Sequence, residues 1–320
     1  MRDKNKWDIS FKTMKSPLMF AMVFYAIAIW RYLATGYEFY LFNFGYIGTA
    51  LAVGLFFNNA LPKRHSTWGR RIAQLLVGSY LLIYVGFILG ENLQIEGFFT
   101  YLLMGVFAGA TLHYFVAKII GPLLFNRGWC SWACWTAMVL DFLPWKKPLN
   151  GRLRSLGLIR YLHFFASLGI VFYVWFILQD RLIYADKTME VYWLLVGNVL
   201  YFAVGIFLGF VFKDNRAFCK YVCPIPVFQK ITSRYAIMKI EIDQEKCIDC
   251  GLCEKNCPMN IKLLSYKDAN QRICSTECIL CTTCMEICPK SAVSLTNKID
   301  AYNKEHLDYS FLDRGNRKTF

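Results

Sequence analysis

Long apolar stretches separated by short charged connections fill most of the chain. Runs over 17–34, 37–57, 72–90, 97–120, 157–178 and 191–212 are each long enough to carry a helix across a hydrocarbon layer about 30 Å thick. Beyond residue 212 the pattern changes. Met238 to Ile242 alternates apolar and charged residues, and Ala292 to Leu295 reads as a short strand-like piece. The pattern predicts a mainly α fold, a polytopic bundle of about six transmembrane helices followed by a small C-terminal α+β domain. The expected divisions are 1–235 for the bundle, 236–298 for the small domain and 299–320 for a polar tail.

Charge orients the bundle. Basic residues occupy the N-terminus (Arg2, Lys4, Lys6, Lys12, Lys15), the second loop (Lys63, Arg64, Arg70, Arg71), the fourth (Arg127, Lys146, Lys147, Arg152, Arg154) and the tail. The intervening loops carry Glu38, then Glu91 and Glu96, then a mixed Asp180 to Glu190 segment. The positive-inside rule therefore places both termini in the cytoplasm and the protein in the inner membrane. Residues 1–16 are polar and basic, and no small-residue cleavage site follows them, which predicts an uncleaved first helix. The net charge of +14 is read as a topology signal and contact with anionic lipid, so no nucleic acid partner is required.

Thirteen cysteines on the reducing side of a membrane point to ligands and not disulfides. Cys247, Cys250, Cys253, Cys257-Pro258 and Cys278, Cys281, Cys284, Cys288-Pro289 each repeat the C-x2-C-x2-C-x3-C-P run of bacterial two-cluster ferredoxins. In that arrangement the last cysteine crosses to the other cluster. One [4Fe-4S] cluster is expected on Cys247, Cys250, Cys253 and Cys288, and a second on Cys278, Cys281, Cys284 and Cys257. Structural zinc is the competing reading, but zinc takes paired C-x2-C elements and four ligands in all.

A second signal is an internal repeat. The sequence from Asn126 to Cys134 (NRGWCSWAC) aligns without a gap on Asn215 to Cys223 (NRAFCKYVC). Cysteines four apart lie on one face of a helical turn, so Cys130, Cys134, Cys219 and Cys223 together offer four thiolates to a third iron-sulfur cluster. Arg127 and Arg216 would offset its negative charge. The helix before each copy carries a G-x-x-x-G pair, Gly105 with Gly109 and Gly205 with Gly209, a spacing that favours close helix packing. Only Cys274 is left without a role.

This combination resembles the membrane polyferredoxins of the NapH, NosR and CcoG type, with the match running over roughly 126–290. In that family the C-x3-C motifs are usually followed by Pro, which holds for Cys223-Pro224 but not for Cys134-Trp135. The plain NapH-like build is the nearest. The resemblance implies electron transfer linked to the quinone pool, in an electron-transfer subunit with a redox partner protein.

His113 and His163 sit at similar predicted depths in the fourth and fifth spans. They suggest a quinone contact, or a b-type haem held by both imidazoles, against ordinary polar packing. No dinucleotide or phosphate-binding loop occurs. The reading that follows is a membrane-bound iron-sulfur carrier. Two other classes compete with it: an electron-donating assembly or metal-reducing factor, which would draw on Met14, Met19 and Met22, and a redox-sensing transporter, for which the sequence shows no intramembrane charge pairs or broken helices of the expected kind.

Overall fold

The structure, a computed structural model, describes residues 7–63, 65–107, 109–177, 187–300 and 304–309. Arg2, Lys4, Lys6, Arg64, most of the Asp180 to Glu190 loop and most of the tail lie outside the described residues.

Five helices among the described residues are long and apolar enough to cross a membrane: Phe11–Thr35, Phe39–Ala60, Thr67–Ile88, Ser155–Ile177 and Thr188–Phe212. The first two are α1 and α2. The third begins as α3 (Thr67–Ser79) and widens to a π-helix at Tyr80–Ile88.

The fourth apolar stretch departs from expectation. In place of one helix over 97–120 the chain forms α4 (Ile95–Leu103), α5 (Gly109–Tyr114), a π-helical turn over Phe115–Ile120 and α6 (Gly121–Phe125). Gly105 and Gly109 both have positive φ, 70° and 51°. They break the helix where a close-packing pair was expected, because a left-handed residue ends the hydrogen-bond ladder. Phe98 of α4 stacks on Tyr114 of α5 at 4.6 Å, so the two parts lie side by side, and the second continues as a shorter apolar helix over Thr111–Phe125. Glu91 and Glu96, read as loop acids, are drawn inward with it. Glu96 accepts a hydrogen bond from Ser167 at 2.6 Å, inside the fifth span.

Short helices α7 (Trp129–Trp132) and α8 (Trp135–Leu140) follow. Then come α9 (Ile159–Phe172), α10 (Lys187–Phe212), α11 (Ala217–Tyr221) and α12 (Pro226–Ser233). Here the second glycine pair behaves as expected. A Cβ on Gly205 or Gly209 would lie 3.0 or 2.6 Å from Leu140 or Leu143, so α10 closely approaches the end of α8 and the segment after it.

The small C-terminal domain pairs β1 (Met238–Ile242) antiparallel with β2 (Val293–Asn297) around α13 (Leu252–Lys255), α14 (Leu263–Asp268) and α15 (Thr283–Ile287). Its core of Ile240, Met259, Ile261, Leu263, Tyr266 and Ile273 is continuous with its cysteines.

Candidate functional site: a chain of cysteine centres beneath a membrane cavity

The two ferredoxin runs fold back on each other in crossed fashion. One cavity is lined by Cys257, Cys278, Cys281 and Cys284, and a separate one by Cys247, Cys250, Cys253 and Cys288. Both runs use the same backbone device. Asp249 and Gly251 have positive φ (50° and 70°), and the matching residues of the second run, Leu280 and Thr282, have 45° and 61°. Alternating handedness of this kind turns successive N–H groups inward as an anion-binding nest. Leucine and threonine adopt it only under strain, which places the need for that geometry in the site.

Burial pushes the thiols of Cys253 and Cys257 up to about 11 and that of Cys278 up to about 12. Such thiols become thiolates when a metal centre supplies the compensating charge, so the donor set fits iron-sulfur ligation.

The repeat is structural as well as sequential. The amide of Cys134 donates to Trp129 O at 3.1 Å and that of Cys223 to the equivalent Phe218 O at 2.9 Å. Each helical turn therefore ends before its second cysteine, with Cys134 already extended at ψ 122°. The expectation of two thiolates on one continuous turn is corrected in this respect. Trp135 takes the position where the second copy has Pro224, and its indole donates to Asn198 at 2.8 Å.

All four thiols of the repeat lie within electrostatic range of one another. Burial pushes Cys219 up to about 11 despite Arg216, and Cys134 and Cys130 add to the effect. An Arg216 nitrogen lies 4.0 Å from Cys219 Sγ, and Cys130 Sγ lies 3.2 Å from Gln229 Oε1. Sequence reasoning missed Lys118. It is buried in the broken fourth span, its ammonium 5.5 Å from the Trp129 ring centroid, in range of Cys134, Cys130 and Cys223. A lysine inside an apolar run was the available signal.

The basic residues do more than mark topology. Glu277, the residue before Cys278, is surrounded by Arg127 and Arg160 at 2.8 Å, Arg152 at 3.3 Å and Lys230 at 2.8 Å. Burial opposes its ionisation, but these cations hold its carboxyl well below the usual carboxylate range. Asp141 plays the corresponding part inside the bundle, bridging Arg70 and Arg216 at 2.8 Å each. Arg127 and Arg216 are thus repeat equivalents, each engaged by a buried acid. Trp132 donates to Leu280 O at 3.0 Å, Arg127 N to Cys278 O at 3.3 Å and Lys63 to Cys288 O at 2.7 Å. Cys130 packs against the same core as Cys278.

Above the repeat lies a cavity of about 700 Å³, within the range of small-molecule sites. Its wall includes Phe24, Asn43, Glu91, His113 and Trp129. His113 Nε2 is buried with no hydrogen-bond partner, and its ring packs edge-on against Trp129 at 5.6 Å. His163 is placed differently. Its Nδ1 donates to Val222 O at 2.9 Å, and Nε2 accepts from the Tyr201 hydroxyl at 3.4 Å. A haem held by both imidazoles does not fit this arrangement, because both nitrogens of His163 already have protein partners. Cys274 is buried, with Sγ 3.9 Å from Asp300 Oδ1, apart from both cysteine cavities.

Known proteins share these features. A 4Fe-4S dicluster domain matches residues 239–289, and a 4Fe-4S binding domain matches twice, over 107–154 and 195–241, once for each copy of the repeat. An uncharacterised protein of Methanocaldococcus jannaschii is 30% identical over 228 residues, covering 71% of this chain and 86% of that protein. The putative electron transport protein YccM of Escherichia coli is 29% identical, covering 61% of this chain and 58% of its own length. The ferredoxin-type protein NapH of Haemophilus influenzae is 22% identical, covering 60% and 68%. No solved structure matches. The fold and cysteine sites define a multi-pass membrane iron-sulfur electron-transport protein. The chain belongs to the NapH-like family of membrane polyferredoxins.

Proposed function

We propose that this chain carries electrons between a quinone in the cavity beside His113 and a cytoplasmic redox partner that docks near Cys250. The observation that carries the reading is contiguity. The cavity wall includes Trp129, the residue before Cys130, and Cys130 packs on the core that contains Cys278. The cavity lined by Cys247, Cys250, Cys253 and Cys288 follows, with Cys250 exposed. Iron-sulfur clusters at the three cysteine sets would supply one-electron transfer along this line. Three [4Fe-4S]-type centres are proposed, the membrane one held by Cys130, Cys134, Cys219 and Cys223.

The protein's own groups prepare each stage. Lys118 and Arg216 place positive charge beside the four thiols of the repeat, which favours the reduced state of a bound centre. Trp129 and Trp135 limit water around them. His113 Nε2 is positioned to hydrogen-bond a quinone oxygen and to exchange its proton. Lys63 and Arg127, from two basic connections, bond directly to the ferredoxin domain, which supports a cytoplasmic location for the cysteine centres.

The metal-reducing alternative gains no support from α1. Met19 and Met22 are exposed on α1. The test is addition of a menaquinol analogue to the intact protein, with cluster reduction followed by electron paramagnetic resonance and binding followed by titration. Binding and reduction, both weakened at least about tenfold by His113→Ala, are expected. Neither binding nor reduction in the wild-type protein would overturn the quinone reading.

A further inference from the structure

A quinol in this cavity must lose two protons as well as two electrons, and the structure provides separate routes for them. The cysteine centres begin at Trp129 on one side. Glu91 stands on the cavity wall with its carboxylate against the helix break, where a Cβ on Gly109 would lie 2.0 Å from Oε2. The Tyr101 hydroxyl interacts with Glu91 and donates to Glu190 Oε2 at 2.5 Å. Glu190 sits in the first turn of α10 and is partly exposed. The opposite end of that helix, Phe212, leads directly into Asn215 and Arg216 beside the cysteines. Twenty-two residues at ~1.5 Å each separate the two ends by about 33 Å, the full thickness of a bilayer core.

A carboxylate beside a phenol that is hydrogen-bonded to a second carboxylate can pass protons in succession, and buried acids in membrane proteins commonly mark such paths. Beside it, Gln94 Nε2, Thr100 Oγ1 and Thr111 Oγ1 are buried without a protein hydrogen-bond partner among the described residues. That is the condition under which interior polar groups take up water. His113 Nε2 completes the cavity as a second, unpartnered group. Glu96 is not in the series, because it is held by Ser167.

We infer that Glu91, Tyr101 and Glu190 are the proton exit of the quinone cavity, releasing the protons of a quinol on the face away from the ferredoxin domain. This rests on the proposed quinone reading. Both quinol O–H bonds break, and the two protons leave through Glu91 towards Glu190. The two electrons leave on the cysteine side to a one-electron oxidant, so that one quinol and two oxidant molecules give one quinone, two protons and two reduced oxidant molecules. Oxidation would then separate charge across the membrane.

The experiment uses the full chain in sealed liposomes containing a menaquinol analogue, with a pH indicator trapped inside and membrane-impermeant ferricyanide outside. Only molecules with the ferredoxin domain outward can reduce the ferricyanide. The lumen is expected to acidify by one proton per ferricyanide reduced. Glu190→Gln and Tyr101→Phe should each slow luminal acidification at least about tenfold, with iron content and analogue binding unchanged, and Glu96→Gln should retain it. Protons appearing outside, or variants that acidify the lumen normally, would overturn the proton exit and leave the quinone reading intact. Absence of both analogue binding and ferricyanide reduction in the wild type would overturn the quinone reading, and the exit with it.

Discussion

Glu277 and Arg160 face each other at 2.8 Å with both side chains 1% exposed, although 117 residues separate them. One belongs to the ferredoxin domain and precedes Cys278. The other opens a membrane helix. Their contact ties the small domain to the bundle beside Cys278. Arg127, Arg152 and Lys230 complete the cage, so a single carboxylate pairs with four cations drawn from separate segments.

Removing that carboxylate leaves several buried cations without a partner. Glu277→Ala is expected to destabilise the protein by about 3–5 kcal/mol, whereas Lys230→Ala, at the open edge of the cage, should cost about 1 kcal/mol or less. Thermal unfolding in detergent measures both. Equal effects would show that the cage does not fix the domain.

The four repeat cysteines should behave as one unit. Replacing Cys130 and Cys134 with Ser, or Cys219 and Cys223, should remove the same iron, about four atoms per chain if the centre is a cubane. Iron and acid-labile sulfide analysis of the full-length variants checks this. Metal retained by one pair after loss of the other would mean two independent sites.

Crossed lining makes a different prediction for the ferredoxin runs. Cys257→Ser should disturb the cluster shared with Cys278, Cys281 and Cys284, and Cys288→Ser the one shared with Cys247, Cys250 and Cys253. Electron paramagnetic resonance of the reduced variants distinguishes the two signals. If each serine substitution altered the signal of its own run, the crossed assignment would be wrong.

Lys118 sets up a test of charge compensation. Lys118→Met should lower the reduction potential of the repeat's centre on the order of 100 mV, the effect of one nearby unit charge in a partly buried site. A redox titration of that centre alone should show the shift, while the two ferredoxin clusters stay unchanged. An unchanged potential would mean that Lys118 does not act on the centre.

The sequence by itself determined the chemistry and the class of fold. Ligand spacing is a local property, so the two C-x2-C-x2-C-x3-C runs and the paired C-x3-C motifs were legible without coordinates, as were the five long spans, because bilayer thickness dictates their length. The strand at 238–242 followed from its alternating pattern, and the strand-like piece expected at 292–295 overlaps the strand found at 293–297. What tertiary structure decided was every relation between distant segments. Hydropathy cannot distinguish a continuous helix from two halves joined at Gly105 and Gly109, since both are equally apolar, and so the cavity and the inward turn of Glu91 were hidden. Arg127 and Arg160 looked like topology signals because a charge pattern does not reveal its partner. Only packing brought them to Glu277, and only packing separated His113, on the cavity wall, from His163, bonded to Val222 and Tyr201.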